Sequence, residues 1–247
     1  MGYGTTLAPL LLLMGFNPLA VVPAILLSEL ITGALAAFMH HRAGNVQFDF
    51  SNDKEHYMRK RLGRLGYIPK SFDSKIAMVL AICSFLGAVV AVFVAISLPK
   101  FYLKLFIGLI VSAMGVIILS RYRAKPKFSW NKIVGLGVVA AFNKGLSGGG
   151  YGPLVTSGQI LSGVKSKASV AITSLAESFT CLVGISVYFL LGTAVDWSIA
   201  PYLALGAVLS VPFSTFAVRR ISLGKLTLVV GIATLLLGLY TLCSLFA

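Results

Sequence analysis

The chain has 247 residues, with 21 Lys+Arg against 7 Asp+Glu, a net charge of +14, 57% hydrophobic residues, 11% charged residues and a mean hydropathy of +0.92. Soluble domains carry about 25% charged and roughly 45–50% apolar residues, so this chain lacks the polar surface to face water all round and reads as an integral membrane protein. The basic excess does not point to a nucleic-acid partner. Lys and Arg gather in short segments between long uncharged runs, which is a topology signal.

Taken in order, the uncharged runs predict membrane-spanning helices near residues 20–41, 76–98, 104–120, 168–191, 199–217 and 226–246. A helix rising about 1.5 Å per residue needs roughly 20 apolar residues to cross a ~30 Å hydrocarbon layer. Helices are expected because lipid satisfies no backbone group from outside, and no ten-residue alternation suggests a barrel. Two segments, 5–14 and 153–162, are too short to cross, and each begins just after a glycine cluster. Residues 133–147 approach the second cluster from its other side. Cys83, Cys181 and Cys243 lie at wide spacings inside apolar runs and read as packing residues.

An internal duplication organises the chain. An offset of 148 places Gly2, Tyr3 and Gly4 on Gly150, Tyr151 and Gly152, and Glu29 on Glu177; Gly15 and Gly44 fall on Gly163 and Gly192. Further along the offset becomes 123, matching Leu80 with Leu203, Phe93 with Phe216, Gly108 with Gly231 and Gly115 with Gly238. The difference of 25 residues corresponds to a hydrophilic insertion around residues 50–74. Residues 1–123 therefore read as a first repeat and 124–247 as a second. Residues 131–149 have no counterpart in the first half, so that repeat lacks its entering half-helix. The natural reading frame is accordingly expected to begin upstream of Met1, or the chain to be truncated.

Charge predicts how the repeats are oriented. If 133–147 and 153–162 form a re-entrant hairpin, each half crosses three times and the halves are inverted. One face then holds 18 Lys+Arg and the other only Lys100 and Lys104, with Lys144 inside the hairpin. A single continuous crossing through 133–162 gives 13 against 7. The positive-inside rule favours the inverted arrangement, with the basic face cytoplasmic. The expected fold class is thus an all-α membrane protein, an inverted-topology bundle of transmembrane helices with two re-entrant, glycine-broken segments.

The densest chemical signal runs from Phe142 to Pro153, with Ser147, Gly148, Gly149, Gly150, Tyr151 and Gly152 at its centre. Consecutive glycines break a helix, and Pro153 suits the first turn of a new one. Unpaired backbone at membrane depth is tolerated only when protein buries it or a wet cavity receives it, and half-helix N-termini attract anions. Gly2, Tyr3 and Gly4 repeat the pattern in the first half. Close helix packing through small residues is the competing explanation. Lys144 decides between them, because it lies about 12 residues, roughly 18 Å of helix, beyond the basic cluster. A cation there costs at least about 2.5 kcal/mol and requires a partner, either a permanent carboxylate or a passing anionic substrate. Glu29 and Glu177 lie near the same depth. A bare carboxylate is disfavoured in a low dielectric, so at least one is expected to be protonated during part of a cycle and to couple proton movement to transport. The alternative role for each is a neutral acid hydrogen-bonding between helices.

Gly145-Leu146-Ser147-Gly148 superficially matches the serine motif of intramembrane rhomboid proteases, but that mechanism needs a histidine base on a later helix and all three histidines precede it. No Walker loop, metal-ligand helix or dinucleotide fingerprint is present, so no enzyme activity, cofactor or metal is expected. The basic loop from Lys54 to Lys75 reads as a solvated topogenic segment, with anionic lipid headgroups as the alternative contact.

Gly2-Tyr3-Gly4-Thr5 with Pro9, then Gly15-Phe16 and His40-His41-Arg42 before Gly44-Asn45-Val46, resembles the first half of the sulfite exporter TauE/SafE permeases. Gly145 to Pro153, with Glu177 and the Gly192 to Trp197 turn, is similar to their second half. The resemblance implies a multi-pass transporter, in a cell membrane such as the bacterial inner membrane, that moves small sulfur-containing oxyanions or organic anions without ATP. Sulfite, sulfonates and sulfoacetate are the substrates it suggests. Family members commonly have about eight hydrophobic segments, and this chain departs by beginning at the first glycine motif. The resulting reading is a secondary transporter working by alternating access around a glycine-rich anion site. A non-transporting multi-pass scaffold is the alternative.

Overall fold

The computed structural model describes residues 3–51, 68–120, 128–192, 195–243 and 245. Helices dominate: α1 (Tyr3–Leu13), α2 (Pro18–Arg42), α3 (Phe72–Ser97), α4 (Lys100–Ser120), α5 (Trp130–Ser147), α6 (Tyr151–Leu161), α7 (Ser166–Leu190), α8 (Ala200–Arg220) and α9 (Leu223–Cys243). Between α2 and α3, strands β1 (Phe50–Ser51) and β2 (Ile68–Pro69) pair antiparallel at the base of the hydrophilic insertion, whose residues 52–67 lie outside the described ones. Among the described residues, four helices are long and apolar enough to cross a membrane, at Ala20–Arg42, Phe72–Ala95, Ser166–Leu190 and Ala200–Arg220. Their outward faces are apolar, with Phe85, Phe93, Leu209 and Phe213 all exposed. That distribution suits a hydrocarbon surround, and the protein is an all-α multi-pass membrane protein.

Helix boundaries recur at the two offsets found in the sequence. α1 and α6 are both 11 residues long, and α2 and α7 both 25, with each pair starting 148 positions apart. α4 and α9 are both 21 residues long and start 123 positions apart. The same device ends α1 and α6. Gly15 (φ 90°) and Gly163 (φ 88°) adopt the left-handed conformation, and the next N–H, from Phe16 or Val164, returns to the carbonyl of Leu11 or Gln159. Only glycine takes that conformation without a steric cost, which is why the matched glycines punctuate both halves.

Packing directions are read from close approaches. A Cβ built on Gly33 would meet Ser174 O at 2.7 Å, while one on Gly184 would meet Leu26 Cδ1 at 3.1 Å, so α2 and α7 run antiparallel. α4 and α9 also pack antiparallel: a Cβ on Gly115 would meet Leu235 Cα at 2.6 Å, and one on Gly238 would meet Ser112 N at 2.4 Å. α3 and α5 run parallel instead, Gly137 facing Cys83 and Gly145 facing Ala88 and Ala91. α6 folds back along α5, since Gly158 faces Leu136. α5 and α6 thus make a hairpin whose outer ends lie on the side where α3 begins. Its own Ile133, Tyr151 and Val155 form one core with Ile76 and Leu80 of α3 and Ile172 of α7.

Candidate functional site

The tip of the α5–α6 hairpin is a three-residue break. Gly148 (φ 68°) ends α5, its N–H donating to Lys144 O at 2.8 Å, and Gly150 (φ 79°) precedes α6. Two left-handed residues this close reverse the chain within the span of one turn, which L side chains would oppose. Gly148, Gly149, Gly150, Tyr151 and Gly152 are all buried, and neither Gly149 nor Gly150 is without a partner. Gly2 and the Ser147 side chain lie outside the described residues.

Lys144, in the last turn of α5, is completely buried and points into the space between the two halves. Its Nζ donates to Glu29 Oε2 from α2 and, at 2.9 Å, to Glu177 Oε1 from α7. Of the two partners the sequence allowed for this lysine, the structure shows the carboxylates. One ammonium shared by two carboxylates leaves a net charge of −1 when all three are ionised, in a setting where water screens little.

Both glycine motifs touch this triad. The Gly4 N–H donates to Glu29 Oε1 at 3.1 Å, and a Cβ on Gly4 would lie 2.4 Å from Gly148 O. The first motif therefore abuts the second with no room for a side chain. The tyrosines brace equivalent helices: Tyr3 OH donates to Leu203 O on α8 at 3.0 Å, while Tyr151 OH lies 3.4 Å from Ser84 Oγ on α3. Ser84 itself donates to Leu80 O, and Leu80 is the position matched to Leu203.

Sequence reasoning missed the hydroxyls around the triad. Thr180 donates to Ser84 at 2.6 Å, and the buried Tyr188 donates to Gly145 O at 3.1 Å. Ser28 contributes a further hydroxyl 3.4 Å from Tyr3. Ser84 and Tyr188 were hidden because single hydroxyls in apolar runs carry no spacing signal. No group of three or more His, Cys, Asp or Glu suited to a metal occurs among the described residues. Chemically, the arrangement can hold a proton on either carboxylate, and it presents a cation to an anion only when that carboxylate contact is relaxed.

The profile of the Sulfite exporter TauE/SafE family matches residues 63–241. Over 99% of this chain and 77% of the relative, the sequence is 24% identical to a probable membrane transporter protein, YtnM, of Bacillus subtilis (strain 168). No solved structure matches. With close to three quarters of the chain matched, including both the α5–α6 hairpin and α7, this polypeptide belongs to the sulfite exporter TauE/SafE family of membrane transporters and is a permease, not an enzyme.

Proposed function

We propose that the protein is a proton-coupled secondary transporter of small sulfur-containing oxyanions or organic anions, working by alternating access between two inverted repeats, residues 1–123 and 124–247. The observation that carries this reading is that Glu29 and Glu177, at matched positions of the two halves, converge on the single buried Lys144 beside both glycine motifs. Antiparallel packing of the matched helices α2 with α7, and α4 with α9, supports the inversion. The basic loops favour a cytoplasmic location for the face where the α5–α6 hairpin begins and ends, in a bacterial inner membrane.

The charge balance suggests how coupling works. An anion approaching the ionised triad meets a net negative charge. Protonating a glutamate weakens its hold on the ammonium, and the freed Lys144, with the Ser147–Gly152 backbone, then receives the anion. Proton and anion load together, and each discourages release of the other. Other titratable groups around the carboxylates are Tyr3 from α1, Tyr151 from α6 and Cys181 on α7 itself. Because protons load with substrate, flux is expected to rise as the loading side is acidified.

The test is uptake of radiolabelled sulfite and sulfoacetate into proteoliposomes under an imposed pH gradient. The expected result is at least a tenfold stimulation by acid on the loading side, lost in Glu29→Gln or Glu177→Gln protein. Flux of unchanged pH dependence in both variants overturns the coupling, and absence of flux for both anions overturns the substrate class.

A further inference from the structure

The two halves match in backbone but not in the chemistry that flanks their glutamates. On the second half, a polar cluster lies between Glu177 and the loop that joins α6 to α7. Gln159 Nε2 donates to Thr173 Oγ1 at 2.8 Å, and Thr156 Oγ1 donates to the same oxygen at 2.9 Å. Ser169 Oγ donates to Lys165 O at 3.0 Å, where the exposed Lys165 begins the basic face. Ser169, Thr173 and Glu177 follow one another at spacings of four, so they share one stripe of α7. Side chains on a helix lean toward its N-terminus, which turns the Glu177 stem toward Thr173.

The offset of 148 maps Thr156, Gln159, Ser169 and Thr173 onto Ala8, Leu11, Val21 and Ile25. Those four residues form a buried apolar cluster of their own, with Phe16, Ile199 and Leu203 packed against it. One half thus has hydrogen-bonding groups at each position where the other has a hydrocarbon plug. A second observation points to a ligand in the polar half. Gln159 is fully buried and its Oε1 has no hydrogen-bond partner among the described residues. Turning the amide over would orphan the nitrogen instead, so either orientation leaves one polar end unsatisfied. Buried amides without a partner are rare and mark places where a water completes the bonding.

We infer that Thr156, Gln159, Ser169 and Thr173 form a water-bearing access route from the basic face to Glu177, while Ala8, Leu11, Val21 and Ile25 seal Glu29 from the opposite face. The route takes water and, through it, protons. It rests on the proposed role of Glu177 only for what the water delivers; the polarity difference stands without it. The two glutamates are therefore flanked unequally, one by hydrogen-bonding side chains and one by hydrocarbon, despite their matched positions.

The test uses the full chain with its cysteines replaced and single cysteines placed at Thr173, Gln159, Ile25 and Leu11. Oriented membrane vesicles are treated on each face with a charged, membrane-impermeant methanethiosulfonate, which reacts only with wetted thiols. The expected result is at least tenfold faster modification of Thr173→Cys and Gln159→Cys from the basic face than of Ile25→Cys and Leu11→Cys from either face. Adding Gln159→Leu should slow modification at Thr173→Cys by a similar factor, whereas Gln159→Glu should not. Equal rates at the paired positions, or no modification at any of them, overturn the route. Selective labelling in protein whose sulfite flux keeps its pH dependence after both Glu29→Gln and Glu177→Gln leaves the route standing and overturns the coupling instead.

Discussion

Lys144 lies 2.9 Å from Glu177, although the lysine ends one helix of the hairpin and the glutamate sits in the middle of another. With Glu29 on its other side, the ammonium bridges α2, α5 and α7, and so joins the two halves of the chain through charge. A buried ion group of this kind contributes little net stability compared with well-packed apolar residues, but breaking it is costly because the survivors remain buried and unpaired.

That asymmetry predicts the behaviour of Lys144→Met. Removing the cation leaves two carboxylates facing each other, and the loss should be about 3–5 kcal/mol. Lys144→Met combined with Glu29→Gln and Glu177→Gln should regain most of it. Thermal unfolding in detergent, followed by the fraction remaining monodisperse, measures both. A single variant as stable as the parent would mean that the ion group does not hold the halves together.

Gly4→Val should separate the glycine motifs, since its Cβ would already lie 2.4 Å from a backbone oxygen of Gly148. That nearest contact is backbone and cannot swing aside, and the next two are the Glu29 carboxylate oxygens at 2.9 and 3.1 Å, so flux should fall at least tenfold in protein that inserts normally. Gly135→Ala serves as the control. A Cβ there meets nothing within 4 Å, and alanine in a helix interior is expected to be neutral or to stabilise by about 0.5–1 kcal/mol. Parallel flux and unfolding measurements distinguish a site effect from a folding effect.

The proposed inverted arrangement predicts which loops face which side. Single cysteines at Met14 and Trp197 should react with an impermeant maleimide from one face of the membrane, and those at Lys165 and Ser222 from the other. Met14 and Trp197 are both well exposed, at 73% and 69%, so lack of access cannot explain silence there. Labelling of Met14→Cys and Lys165→Cys from the same face would rule out the inversion.

Much of the architecture was legible because membrane insertion constrains sequence strongly. The six expected spans fall on α2, α3, α4, α7, α8 and α9, four of which are long and apolar enough to cross among the described residues, with ends shifted by up to about four residues, the usual uncertainty of helix termini. The short segments became α1 and α6 for the same reason: glycine and proline mark where a helix cannot continue. Lys144, Glu29 and Glu177 stood out because charge in an apolar run is expensive. Their mutual pairing was only one of two options, because depth along a helix does not say which way a side chain turns. Thr173 and Gln159 were harder still. A lone threonine or glutamine in an apolar run carries no spacing signal, and its contrast with Ile25 and Leu11 appears only where the offset of 148 pairs the positions.

The contact between α4 and α9 carries a consequence for origin. Gly115 meets Leu235 while Gly238 meets Ser112, and the offset of 123 exchanges the first pair for the second. A surface on which residue i touches j, and the counterpart of j touches the counterpart of i, is what two identical chains make around a dyad. Were the two repeats copies of one unit, a chain of half this length could close the same seam with a second copy of itself.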